Sequence, residues 1–338
     1  MKKVIFFLLS FLVGLVSFYF VSKIAEWETI KKILFSFSFS KWLIIFFLSL
    51  CILLVEVWQW KYILKAQGYS FSFFSILEIT FSSFAVGYLF PTGFFGGETF
   101  RVYFFRKRFN LPWTKSISTA TIGRLLATSV IFLLLIICFL SFIFLTKSIP
   151  RKFIISAFLL IVALFLALSF FYSKTLRKES FIRVFLKLFR LNSLLNEENG
   201  KKFDEFEKDL FSFFELKKEF IWKGIAINFI KNIFVFLRCW VLVLFITGKT
   251  NIFFVLAIMF FLQVSYLFPL PAKLGSLDAG QVFVFSSLGF TPGSGITFSF
   301  LLRGAELIIA LFSFFLLAHL GLRTLINSAI AKLKRFSN

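Results

Sequence analysis

Two stretches decide how this chain is read: Tyr88-Leu89-Phe90-Pro91-Thr92-Gly93-Phe94-Phe95-Gly96-Gly97-Glu98 and Tyr266-Leu267-Phe268-Pro269-Leu270-Pro271-Ala272-Lys273-Leu274-Gly275-Ser276-Leu277-Asp278. Each begins with the same four residues, breaks at proline, passes through glycine and ends on an acid. Each is preceded by an apolar run too short to cross a bilayer. Ile76 to Phe90, at fifteen residues, reaches only about 22 Å as a helix, against a hydrocarbon core of about 30 Å. Such segments enter the membrane and turn back. Ile252 to Phe268 followed by Gln281 to Phe290 makes the second such hairpin. An arginine then stands inside the following long span, 26 residues after Glu98 at Arg124 and 25 after Asp278 at Arg303. The two units are one motif repeated.

The rest of the chain is the solvent-free environment that such hairpins need. Of 338 residues, 59% are hydrophobic and 58 are Phe, with a mean hydropathy of +0.92. Soluble domains run about 45–50% apolar, so a water-soluble fold is excluded. Full spans are expected at Val4 to Ser22, Trp42 to Trp60, Ile117 to Leu145, Phe153 to Tyr172, Ile221 to Ile246 and Ile296 to Ala318. Trp42 and Trp60 bracket the second span as an interfacial belt does. Lys23 to Ser40 reads as an interfacial segment.

The chain carries 38 Lys+Arg against 16 Asp+Glu, a net charge of +22. These cations lie between the apolar spans, which marks cytoplasmic flanks rather than a nucleic-acid surface. With the N-terminus inside, six spans and two hairpins place Arg101 to Lys115, the polar segment 173–220 and the tail in the cytoplasm. Lys147, Arg151 and Lys152 fall outside and fit the rule least well. The expected fold class is therefore an all-α polytopic membrane protein: six full transmembrane helices plus two re-entrant hairpins in two inverted-topology repeats, residues 1–172 and 221–338, joined by the cytoplasmic segment 173–220, in one membrane domain. Both termini are expected on the cytoplasmic side of the cell membrane.

Opposite entry of two similar broken units points to a site where they meet. Non-helical backbone at membrane depth persists only where protein buries it or where it lines a polar cavity. The turns are Pro91, Gly93, Gly96 and Gly97 in the first unit, and Pro269, Pro271 and Gly275 in the second. A mid-membrane charge costs about 2.5–3.5 kcal/mol on insertion scales. Arg124 and Arg303 lie about seven residues, roughly 10 Å, inside their expected spans. Glu306, three residues after Arg303, shares its helical face and is expected to pair with it. Two readings stand side by side. Glu98–Arg124 and Asp278–Arg303–Glu306 are structural ion pairs that pin the turns, or Arg101, Arg124, Lys273 and Arg303 neutralise an anionic head group, supported by those acids.

At these motifs the chain resembles the membrane domain of lysylphosphatidylglycerol synthases and the wider flippase-like family that shares it. The family's marks are a Pro…Gly-Gly-Glu-x-x-Arg element, here Pro91 to Arg101, and a Leu-Pro…Leu-Gly-x-x-Glu element, here Leu267 to Asp278. The second departs at Asp278, where the family usually has Glu, and at Lys273, where a small residue is common. The resemblance implies movement of a lipid, a phospholipid or a polyprenyl-phosphate-linked lipid, between leaflets, with membrane lipids as partners and no cofactor. Some relatives continue into a soluble aminoacyl-transferase domain, for which this chain is expected to have no room. The rival function is a membrane transferase of lipid or glycolipid synthesis, or an accessory subunit working beside such an enzyme.

Other motifs give little. Cys51, Cys138 and Cys239 lie in apolar windows without paired spacing and read as small hydrophobes. His319 is the single histidine, which removes most His-based catalysis. Gly248-Lys249-Thr250 lacks the upstream glycine of a phosphate-binding loop, with Val243 in its place. Glu56 and Glu78 read as interface acids, with proton coupling the alternative. Lys231 and Arg238, seven apart, share one face of their span and are expected toward the cavity. Phe181 to Arg190 has cations at i, i+4 and i+7, the pattern of a basic amphipathic helix on anionic lipid, with a protein-docking surface as the rival. Asn196 to Asp209 reads as a solvated loop or helix.

Overall fold

The computed structural model describes residues 35, 37–89, 97–146, 151–188, 197–216 and 218–336. The expected first span and the turn residues Pro91, Gly93 and Gly96 lie outside these, as does Lys147. Among the described residues all regular structure is helical. In chain order the helices are α1 (Phe39–Ala66), α2 (Phe73–Leu89), α3 (Glu98–Phe109), α4 (Trp113–Leu145), α5 (Arg151–Leu176), α6 (Phe181–Leu188), α7 (Glu197–Leu216), α8 (Lys218–Thr247), α9 (Ile252–Ser265), α10 (Ser276–Ser287) and α11 (Pro292–Phe336).

Five of them, α1, α4, α5, α8 and the Pro292–His319 part of α11, are long and apolar enough to cross a membrane. They match five of the six expected spans. The short helices match too: α2 with 17 residues reaches about 25 Å, α9 with 14 about 21 Å and α10 with 12 about 18 Å, each less than a hydrocarbon core. A backbone that cannot leave lipid by water contact must satisfy itself, which is why an apolar chain of this composition becomes helix almost throughout. The apolar excess is turned outward. Phe158, Leu159 and Leu166 on α5 and Leu311, Phe312 and Phe315 on α11 are exposed, and α5 buries only Ala157 and Thr175. These faces suit lipid tails.

The helices interlock by a reciprocal scheme. α1 packs on α8, α2 of the first half packs on α11 of the second, and α9 of the second half packs on α4 of the first. All three pairs run antiparallel. On α1 and α8, Lys41 lies 5.4 Å from the Phe245 ring, Ser49 bonds Arg238 at 3.1 Å, and the Tyr62 and Phe220 rings are 5.0 Å apart. On α2 and α11, Phe81 meets Phe312 with ring centroids 6.4 Å apart, and the Tyr88 hydroxyl donates to the Arg303 carbonyl at 3.2 Å. On α4 and α9, Phe139 meets Phe260 at 5.2 Å and Phe144 meets Phe253 at 6.0 Å. Two apolar cores result. One gathers Phe142, Leu242, Phe260, Phe285 and Phe298, and the other Val57, Ile79, Phe105, Leu126 and Phe213.

The polar segment is more ordered and more buried than its composition suggests. α7 turns Leu210, Phe213 and Phe214, just past the stretch read as solvated, into the second core, while within that stretch Glu207 is buried. Its acids have internal partners: Glu207, buried, accepts from the Ile182 amide at 2.8 Å, and Asp209 pairs with Lys115 of α4. α6 is amphipathic as read, but Arg183 reaches Asp204 of α7 with both carboxylate oxygens at 2.8 and 2.9 Å. That cation is shared with an exposed intramolecular pair.

Gly97, at the start of α3, closes on α2. A Cβ there would stand 2.0 Å from the Ser83 carbonyl oxygen. Backbone cannot yield as a side-chain tip does, so Gly97→Ala must push α3 off α2. We expect a loss of about 1–3 kcal/mol, the usual cost of overpacking, read as a lower melting temperature in detergent. A wild-type melting curve would show that the two helices need not touch there.

Candidate head-group site

The charged residues inside the bundle gather into two clusters. The first is built on the start of α3. Glu98, in its first turn, lies 3.5 Å from Arg124 of α4. Arg101, one turn later and 4% exposed, bonds Glu56 of α1 at 2.8 Å and lays its guanidinium 4.3 Å over the Trp60 ring. Lys231 of α8 lies near enough for its charge to act on Glu56 and Glu98.

The second cluster is built on the turn before α10. Pro269 and Pro271 end the preceding helix, and the 3-10 turn Pro271–Lys273 places Ala272 at φ 46° and Lys273 at φ 57°. Both are left-handed conformations that cost a non-glycine residue about 1–3 kcal/mol and mark turns held by their surroundings. Gly275, at φ 78°, is also at positive φ, which glycine adopts without that cost. Asp278, fully buried, caps α10 by accepting from the Gly275 amide at 3.0 Å, and its other oxygen takes the Arg303 guanidinium. Lys273 bonds Glu306 at 2.8 Å while its ammonium sits 4.1 Å from the Tyr266 ring. Arg238 of α8 approaches the other Glu306 oxygen at 3.5 Å.

Two of the expected ion pairs are present and one pairing differs. Glu98–Arg124 and Asp278–Arg303 are ion pairs, as one of the two readings expects. Glu306 is held by Lys273 and Arg238 instead of by Arg303. The reason is direction. Arg303 reaches back along its helix, its Nε bonding the Ser299 carbonyl at 3.3 Å, whereas Glu306 opens toward α8 and the turn. Each of the two arginines is eleven residues past the first residue of its helix, Trp113 or Pro292, about 16 Å along the axis.

Arg238 is buried and faces the second cluster. Glu56, read as an interface acid, is instead the partner of Arg101, and Glu78 pairs with Arg108 at 2.8 Å. Two residues were missed as site members for want of a partner in sequence, Glu56 and Ser49. Their signal was available: they are seven apart on α1, opposite Lys231 and Arg238, seven apart on α8. Antiparallel packing brings Ser49 to Arg238 and Glu56 to Lys231. Cys138 and Cys239 are buried and all three cysteines are free, as read.

Chemically the clusters offer cation forks, fixed carboxylates and Tyr88 and Tyr266 at the rim of the second. Among the described residues no three His, Cys, Asp or Glu come together to hold a metal, and His319 is exposed away from both clusters on α11.

A family model described as the lysylphosphatidylglycerol synthase TM region matches residues 7–329. A UPF0104 membrane protein of Methanocaldococcus jannaschii is 23% identical over 295 residues, covering 82% of this chain and 84% of the relative. The chain belongs to the lysylphosphatidylglycerol synthase TM region family and is an integral membrane protein.

Proposed function

We propose that this family member moves an anionic lipid, a phospholipid or a polyprenyl-phosphate-linked lipid, between the leaflets of the cell membrane. The observation that carries the reading is the pair of matched clusters, each with an arginine on a long helix bound to an acid at the start of a short one. Interrupted helices that place charges at mid-membrane depth are where transporters hold polar cargo. Arg101, Arg124, Lys273 and Arg303 receive the head group, and Glu98, Asp278 and Glu306 hold them in its absence, since an arginine can exchange a carboxylate for a phosphate.

In this reading α2–α3 and α9–α10 are re-entrant hairpins, and the halves are inverted repeats. Two spans, α4 and α5, separate α1 from α8, so α1 and α8 would cross in opposite senses if α2 and α3 do not cross. Their antiparallel packing supports this. The two clusters also differ in access. Glu56 and Arg124 are 24% and 26% exposed, while Asp278, Arg303 and Glu306 lie between 0% and 8%. With the basic α3 on the cytoplasmic side, that is the asymmetry of a site open inward. Both termini then lie in the cytoplasm. Single cysteines at Lys107 and Lys249, in a chain lacking Cys51, Cys138 and Cys239, should label from opposite sides. Labelling from one side overturns the inverted arrangement.

Transport itself is read by reconstituting the protein into vesicles and following the leaflet accessibility of fluorescent anionic lipids. Accelerated exchange is expected. Product formed from lipid and a soluble donor, without exchange, would make the chain a transferase.

A further inference from the structure

α3 carries Glu98 and Arg101 of the first cluster at one end and a different surface at the other. Tyr103, Arg106, Lys107 and Asn110 are all exposed, and their spacing puts them on one helical face. The opposite face, with Arg101, Val102 and Phe105, is buried. Of the three cations in the last turn of α3, Arg108 bonds Glu78 of α2 at 2.8 Å, while Arg106 and Lys107 are exposed.

The chain then turns so that an aromatic ring meets them. Asn110 takes a left-handed φ of 53°, a reversal that Asn adopts more readily than most residues, and α4 begins shortly after it. Its first residue, Trp113, is 47% exposed and lies beneath the Arg106 guanidinium, 5.0 Å from carbon to ring centroid. Ile117, one turn later, is 42% exposed. Behind this face the end of α3 is anchored: the Phe109 ring stacks on Phe71 with centroids 3.7 Å apart, and Leu111 is buried. Arg106, Lys107 and Asn110 line an open hollow of about 300 Å³. With 33 residues α4 reaches about 50 Å, more than a hydrocarbon core needs, so its first turn stands at head-group level.

We infer that this hollow is a lipid site apart from the two clusters, holding the head group of an anionic phospholipid of the adjoining leaflet. Arg106 meets the phosphate through its planar fork and Lys107 as a point charge; resting on an aromatic face leaves a guanidinium's N–H groups for an anion. The Asn110 amide serves the remaining head-group oxygens. Trp113 and Ile117 lie against the glycerol and the upper acyl chains, as interfacial aromatic and aliphatic side chains do. A soluble anion gains nothing from those two residues, which selects the lipid over free phosphate. The site neither needs nor tests the transport reading.

Quenching of Trp113 by brominated phospholipids tests the site. The chain has seven Trp, so Trp113 emission is taken as the difference between wild type and Trp113→Phe. Both full chains are reconstituted in phosphatidylcholine vesicles containing a varied share of brominated phosphatidylglycerol or of brominated phosphatidylcholine. The anionic lipid should quench with an apparent affinity about fivefold or more above that of the zwitterionic one, the factor that a single interfacial cation supplies. Arg106→Gln with Lys107→Gln should bring the two lipids to equality without lowering the melting temperature, since both side chains are exposed. Lys61→Gln with Lys65→Gln removes the same charge at the same end of the bundle, where Gln67 bonds Thr119, and should leave the preference unchanged. Loss of the preference in that control would mean general attraction to a basic surface and overturn the site. Equal quenching by both lipids in the wild type overturns it as well. Millimolar inorganic phosphate should leave the quenching in place; relief of quenching would assign the hollow to a soluble phosphate and overturn the lipid.

Discussion

Arg303→Ala is expected to cost the protein about 3–5 kcal/mol, because it leaves the Asp278 carboxylate, which has no solvent exposure, as an uncompensated buried charge. The loss should reach beyond the pair. Asp278 also caps α10 through the Gly275 amide, and Gly275 follows a turn held in left-handed conformations. An acid that regains a proton or rotates in search of a partner weakens that cap, so the turn and α10 should loosen together. Thermal unfolding of purified protein, followed by the loss of monodisperse material on size exclusion, reads the effect. The double variant Arg303→Ala with Asp278→Asn removes the orphaned charge while keeping an oxygen for the cap. It should regain much of the lost stability, as paired removals of buried ions do. Arg303→Ala melting like wild type would show that water or lipid already solvates Asp278.

How far the sequence reaches can be judged from the same residues. Spans were legible because hydropathy over about 20 residues is a direct consequence of the bilayer's thickness, and α1, α4, α5, α8 and α11 fall where that predicts. The acid–arginine pairs Glu98–Arg124 and Asp278–Arg303 were legible because Tyr-Leu-Phe-Pro, the glycines, the acid and the arginine recur at matched spacing. Glu56 was not. Its partner Arg101 lies 45 residues away on another helix, and only the tertiary crossing of α1 with α3 unites them. Glu306 failed for a subtler reason. Helical spacing says which side chains can meet, but three competing cations lay within reach and local spacing ranks none of them. α7 misled through its acids, which look solvent-bound until Lys115 and the Ile182 amide supply partners.

The reciprocal packing of α2 on α11 and α9 on α4 has a mechanical consequence. Each short helix rests on the long arginine-bearing helix of the other half, as the Tyr88 bond to the Arg303 carbonyl illustrates. A shift of one half therefore moves the wall beside the other half's arginine. Alternating access of the proposed kind requires such coupling, because the second site must open as the first one closes. The close approach of Gly97 to Ser83 seats α3 on α2, and the Gly275 amide bond to Asp278 caps α10.

Conservative replacement separates head-group binding from charge balance. Arg303→Lys and Arg124→Lys keep the positive charge that Asp278 and Glu98 require, so both proteins should insert and melt near wild type. What each loses is the planar fork, which grips two oxygens of a phosphate or a carboxylate at once where an ammonium acts as a point charge. Hydrogen bonds to charged groups are worth about 1.5–3 kcal/mol, so losing one of a bidentate pair should slow lipid exchange about tenfold or more. The two variants should differ in side. Arg124 belongs to the more exposed cluster, and its replacement should weaken uptake of lipid offered from the cytoplasmic leaflet; Arg303 belongs to the closed cluster, and its replacement should slow release on the other side. Leaflet-specific accessibility assays in vesicles of known protein orientation measure each direction separately. Exchange at wild-type rates in both variants would reduce the arginines to charge-balancing posts, since only a ligand that uses the fork can register its loss.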